Sequence, residues 1–199
     1  VRWMKTVGQI IGQDTVFEKS DGLRFMVTFD DGWKDTYTYA LPILRKYGVP
    51  AIVFISTNNI DQQKLFWSEE IGLSVKRSSK SEGEVASILE GVTSMAIRLS
   101  DERDKEKRDA HWNSSNSAYV LDRFIEYLKV LSVDKRDDLV RLFYSLLGSS
   151  ADTSENLLLS WEEIDIMQRQ GCSFGSHTHT HPILDRMGQQ NIDSELSIS

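Results

Sequence analysis

Between Leu23 and Ser56 the apolar positions change period twice. Leu23 to Phe29 (LRFMVTF) is a short, β-prone apolar run that follows the turn residues Ser20-Asp21-Gly22 and ends in Asp30-Asp31-Gly32, which predicts a buried strand. From about Asp35 to Tyr47, the residues Ala40, Leu41, Ile43, Leu44 and Tyr47 keep helical spacing, with Gly48 just past the end and Pro50 beyond it. These are stop signals for a helix. Pro42 inside that stretch predicts a bend or a late start, because it has no N–H to give. Ala51 to Ser56 (AIVFIS) then predicts a second strand. Strand, helix and strand in so short a span predict a parallel βαβ unit.

A long helical stretch follows. Ser81 and Glu84 have capping-box spacing, and Val85, Ile88, Leu89, Val92, Met95, Ala96 and Leu99 keep one helical face. Val120, Leu121, Phe124, Ile125, Leu128 and Leu131 form a second face; Leu139, Val140, Leu142, Phe143, Leu146 and Leu147 form a third, closed by Gly148. These stripes predict core packing. The mixed-sign run from Asp101 to Asp109 predicts a solvated face or loop. The α/β pattern resumes at Ser160 and Glu163, a second capping box, with Trp161, Ile164 and Met167 on one face and Gly171 as the stop. Cys172 to Ser176 predicts a third strand that leads into Gly175-Ser-His-Thr-His-Thr-His-Pro182.

Composition narrows the chemistry. The 199-residue chain has the 40% hydrophobic and 27% charged content of a globular protein, enough for a sizeable core. Its net charge of −7 argues against nucleic acid as a partner, since phosphate binding needs clustered Lys and Arg. No apolar run reaches the roughly 18 residues of a membrane span, and no signal peptide is visible at the start. The single cysteine, Cys172, leaves any metal site to His and carboxylate ligands.

His177, His179 and His181 stand on alternate residues before Pro182, which disfavours helix at His181. In an extended run all three imidazoles would share one side; in a turn, His177 and His181 could converge while His179 points away. A catalytic zinc site uses three protein ligands and leaves one position open, so two histidines and a carboxylate would suffice. The carboxylate source is Asp30-Asp31-Gly32 at the end of a predicted strand. Two adjacent aspartates point in different directions, so one can ligate while the other takes a proton from water whose pKa the metal has lowered. Alone, Asp-Asp-Gly is a common turn and the histidines an ordinary surface cluster. Both, however, fall at C-terminal ends of predicted parallel strands, the edge where α/β folds build their sites.

Thr28-Phe29-Asp30-Asp31-Gly32 resembles the first motif of the polysaccharide deacetylases, which carry the chitooligosaccharide-deacetylase (NodB) homology domain. His177-Thr178-His179-Thr180-His181 resembles their second, with Ala40 to Ser56 and His181-Pro-Ile-Leu184 as similar flanks. The resemblance covers roughly Leu23 to Thr57 and Ser160 to the end. It implies an α/β fold, a partial distorted (β/α) barrel, with a helical insertion at about 58–156 between the second and third strands. It implies a divalent metal, usually Zn, held by Asp31, His177 and His181, with Asp30 as general base, Thr178 supporting the loop and His179 at a variable place. The turn geometry is then the expected one. The implied activity is removal of N- or O-acetyl groups from an acetylated glycan.

Two departures qualify that expectation. The insertion has no counterpart in the resemblance; Trp67 or Trp112 within it could stack on sugar, although core packing explains each more simply. The later family motifs, including the arginine motif and the late histidine acid, are not in this chain. The expectation is therefore an incomplete single domain over 1–199, with an uncovered strand edge open to self-association. Alternatives are hydrolysis of a non-sugar amide by the same site, or a catalytically incomplete metal- or glycan-binding module.

Overall fold

The structure, a computed structural model, describes residues 1–99, 117–148 and 156–199. The chain divides into two compact units, Val1–Phe66 with Thr153–Ser199, and Trp67–Asp152. Strands and helices mix in the first; the described elements of the second are helices.

In the first unit β1 (Gln9–Ile10) pairs in parallel with β2 (Arg24–Phe25), and β3 (Thr28–Phe29), β4 (Ala51–Ile55) and β5 (Cys172–Ser176) form a parallel sheet in the order β3-β4-β5. The run expected as one buried strand from Leu23 to Phe29 is two strands that change partner at Met26 and Val27. The Leu23 and Phe25 carbonyls accept from Gln9 and Ile11 of the β1 segment, whereas the Val27 carbonyl accepts from Ile52 of β4. Arg24 explains the break: its guanidinium donates to the carbonyls of Thr15, Val16 and Glu18, drawing β2 toward the preceding loop. Leu23 and Met26 are exposed as a result. Periodicity gave no sign of β1, or of α1 (Arg2–Val7) before it.

β4 is the centre of the sheet, and its apolar run is continuous because both faces are covered. Ala51, Ile52, Val53 and Ile55 are buried, Val53 completely. The helix before it begins with a π-helical turn at Thr36–Ala40 and becomes α2 over Leu41–Tyr47. Pro42 sits in the first turn of α2, where its missing N–H is tolerated, and the wider turn lies where a regular bond from that N–H would have closed. Gly48, at φ 56°, caps the end. α3 (Thr57–Gln62) follows β4 directly, α8 (Trp161–Arg169) precedes β5, and α9 (Gln189–Ile198) follows the histidine loop. Ser160 and Glu163 form the expected capping box on α8. On α9, Leu196 and Ile198 are exposed, and the buried residue is Glu195.

In the second unit α4 (Trp67–Arg77), α5 (Glu82–Leu99), α6 (Ser117–Lys129) and α7 (Val133–Leu147) enclose a core of Ile71, Val85, Leu89, Val120, Phe124 and Phe143. The helical faces read from the sequence supply most of it; Met95 and Leu146, assigned to those faces, are exposed. Trp67 packs against this core with the Arg136 guanidinium 5.1 Å from its ring centre. Trp112 and the run Asp101–Asp109 lie outside the described residues. No described helix is long and apolar enough to cross a membrane.

Candidate metal centre

β3 and β5 both end at the same edge of the sheet, since Phe29, Val53 and Phe174 lie in register across three parallel strands. β4 separates them, so their ends are two strand spacings apart, about 10 Å. Asp31 reaches the histidines because the chain turns over the end of β4. Asp31 (φ 72°) and Gly32 (φ 78°) are consecutive left-handed residues, and the Gly32 amide bonds back to the Asp30 carbonyl at 2.9 Å. Gly32 is buried against β4: a Cβ there would stand 3.0 Å from Ile55 Cγ2 and 3.1 Å from Ile60 Cδ1. Its carbonyl accepts from the Leu159 amide, and Trp33 bridges antiparallel to Leu158, which fixes the far side of the turn.

The histidine loop is built from the opposite direction. The His177 amide continues the β5 ladder by donating to the Ile55 carbonyl at 2.8 Å. Thr178 (φ 67°) and His181 (φ 56°) are left-handed, and the loop between them is a turn. The Thr178 hydroxyl accepts from the His181 amide at 3.1 Å and donates to the His177 carbonyl at 2.5 Å, clasping the turn. Left-handed backbone at non-glycine residues is unfavourable and persists where surrounding contacts over-determine it. Among the described residues only Gln63 shares it outside this cluster.

Three side chains converge here. Asp31 Oδ1 lies 3.3 Å from His177 Nε2 and 3.4 Å from His181 Nε2. One ligand atom from each residue falls within 4.8 Å of the others, and all three are partly exposed. The Trp33 indole N–H donates to the other Asp31 oxygen, Oδ2, at 3.2 Å. The His181 ring packs on Phe66 at 4.4 Å between centres, and the two imidazoles are 4.9 Å apart. These contacts orient the donors from behind, as outer contacts do in metal sites.

Asp30 and His179 are not part of that cluster. Asp30 is exposed at the strand end, and its carboxylate has no hydrogen-bond or ion-pair partner among the described residues. His179 turns away: its Nδ1 hydrogen-bonds with Thr57 Oγ1 at 2.8 Å, and its carbonyl accepts from the Ser56 hydroxyl and the Asn58 amide. Cys172 is buried at the other end of β5, where burial pushes its thiol pKa up.

Three residues outside the sequence expectations, Trp33, Phe66 and Glu195, also shape the site. Trp33 adjoins Asp-Asp-Gly and could have been noticed; Phe66 and Glu195 carry no local signal. The Glu195 carboxylate accepts from the amides of His179 (2.9 Å) and Thr180 (2.7 Å) and from the Thr180 hydroxyl (2.6 Å). Burial alone would raise its pKa. The Thr180 hydroxyl and amide, the His179 amide and the nearby His179 ring outweigh that, and the net shift is downward.

A family model described as polysaccharide deacetylase matches residues 18–91 and 127–199. That is well over half of the chain, and the chain belongs to this family of hydrolases acting on acetylated glycans. Comparison with curated proteins and with solved structures gave no match.

Proposed function

We propose that the chain is a metal-dependent deacetylase of an acetylated oligosaccharide or polysaccharide, its sheet part of a distorted (β/α) barrel, with Asp31, His177 and His181 holding a divalent ion and Asp30 acting as general base. The observation that carries this reading is the spacing of the donors. A tetrahedral zinc with ligands at about 2.0–2.2 Å requires ligand-to-ligand edges of about 3.3–3.6 Å, and Asp31 Oδ1 lies 3.3 and 3.4 Å from the two imidazole nitrogens. Two neutral imidazoles and one carboxylate are also the donor set of an open, catalytic zinc site. Zinc is the ion this set suits best.

When bound, such an ion supplies Lewis acidity that polarises an acyl oxygen and readies water for attack near neutral pH. The chain's own residues do the rest. Trp33 engages Asp31 Oδ2 and leaves Oδ1 facing the histidines. Phe66 fixes the plane of the His181 ring, and Thr178 holds the two histidines at the ends of one turn. Asp30, one residue from the ligand and open to solvent, is free to accept a proton from the attacking water.

The test is acetate release from N-acetylated and O-acetylated oligosaccharides by the zinc-loaded chain, compared with Asp30→Asn. The variant should release acetate at least about a hundredfold more slowly and bind zinc as the wild type does. Loss of zinc in Asp30→Asn would overturn the assignment of roles; zinc binding without acetate release from any such substrate would overturn the deacetylase reading.

A further inference from the structure

The histidine loop contains two strained residues, Thr178 and His181, and it carries two of the three proposed ligands. Something outside the loop must hold it. Part of the hold comes from the β4–α3 junction, where Ser56, Thr57 and Asn58 engage the carbonyl and ring of His179. The other part comes from α9. Glu195 is 8% exposed, and its two carboxylate oxygens receive three donors, all from His179 and Thr180. Ser199, the residue that follows this helix, meets the end of β5, where the hydroxyls of Ser176 and Ser199 hydrogen-bond at 2.5 Å.

We infer that Glu195 is a positioning residue for the metal centre: its buried carboxylate clamps the backbone of His179 and Thr180 so that His177 and His181 converge on Asp31. The inference rests on the proposed metal site and deepens it. Glu195 touches neither ligand ring; it acts through the backbone between them. A carboxylate suits the task because it accepts at both oxygens and donates at neither. Glutamine keeps one acceptor oxygen for the two amides and meets the Thr180 hydroxyl with an N–H, to which that hydroxyl can turn and accept. Alanine removes both acceptor oxygens and leaves the partly buried His179 and Thr180 amides without that partner. The loop then keeps only the β4–α3 junction and the Thr178 clasp, and its two left-handed residues lose part of what over-determines them.

Zinc titration of the metal-free chain, with hydrogen exchange across the loop, tests this. Glu195→Ala should bind zinc at least about tenfold more weakly than the wild type, well below its unfolding temperature. Exchange at the His179 and Thr180 amides should be at least about tenfold faster in the absence of metal. Glu195→Gln should stay within about threefold of the wild type in both. A purely structural role would lower the unfolding temperature of Glu195→Ala and leave zinc affinity and loop exchange unchanged, and that result overturns the inference. If Glu195→Ala does not fold, Thr180→Val, which deletes only the hydroxyl bond, should weaken zinc in the same direction; unchanged affinity there also overturns it. A wild-type chain that takes up no zinc would instead overturn the metal-site reading itself.

Discussion

Gly32→Ala tests how the chain turns over β4. An alanine at Gly32 must adopt φ 78°, a left-handed conformation that costs about 1–2 kcal/mol relative to the ordinary regions. Its Cβ would also meet Ile55 Cγ2 at 3.0 Å and Ile60 Cδ1 at 3.1 Å. The Ile60 contact is with the tip of a side chain and can swing away. The Ile55 contact cannot relax so easily, because a β-branched side chain in a central strand has one stiff χ1; overpacking of this kind adds about 1 kcal/mol. The stiffer unfolded chain returns part of this, roughly 0.4–1 kcal/mol, leaving a net loss of about 2 kcal/mol. Urea unfolding followed by circular dichroism and tryptophan fluorescence measures it, and thermal unfolding should show a drop of about 4–8 °C. Gly22→Ala is the control, since Gly22 has no positive φ and no atom within 4 Å of where its Cβ would stand. A loss in Gly32→Ala below about 0.5 kcal/mol, no larger than in the control, would refute the claim that this turn requires glycine.

Other consequences follow from the same reasoning. Gly91 lies exposed inside α5 with no atom within 4 Å of a Cβ position, so Gly91→Ala should raise the urea midpoint of the helical unit by about 0.5–1 kcal/mol equivalent. Ser160→Ala breaks a complete capping box at the start of α8 and should destabilise by about 1 kcal/mol in the same assay. The Glu195 carboxyl lies below its ordinary value of 4.5, so in acid the folded chain binds fewer protons than the unfolded chain. Its contribution to stability is therefore present above that value and is lost as pH falls through the lowered folded-state pKa. Urea titrations should show the wild type losing stability faster than Glu195→Gln as the pH is lowered below 4.5.

Much of the candidate site was legible because its signals are local. Asp30-Asp31-Gly32 and the spaced histidines stand directly after apolar runs that become β3 and β5, and parallel pairing puts both at one sheet edge. Pro182, Gly48, Gly148 and the Ser160–Glu163 box act within a few residues, so they too could be read from the chain. The apolar stripes of α5, α6 and α7 were clear because helix packing selects for them. What escaped depends on distant partners. Leu23–Phe29 reads as one strand until Arg24 finds three carbonyls of the preceding loop. β1 and α1 are too short to show a period. Glu195 escaped for a related reason: a helical pattern identifies apolar residues as buried, and here the buried position is a carboxylate whose donors lie 15 and 16 residues away.

The most direct measurement is calorimetric titration of zinc into the metal-free wild-type chain and into Asp31→Ala, with folding of each checked by circular dichroism. If Asp31, His177 and His181 form one site, the wild type takes up one equivalent and Asp31→Ala loses affinity by more than about 100-fold. Equal affinity in the two chains, or no uptake by the wild type, would contradict it.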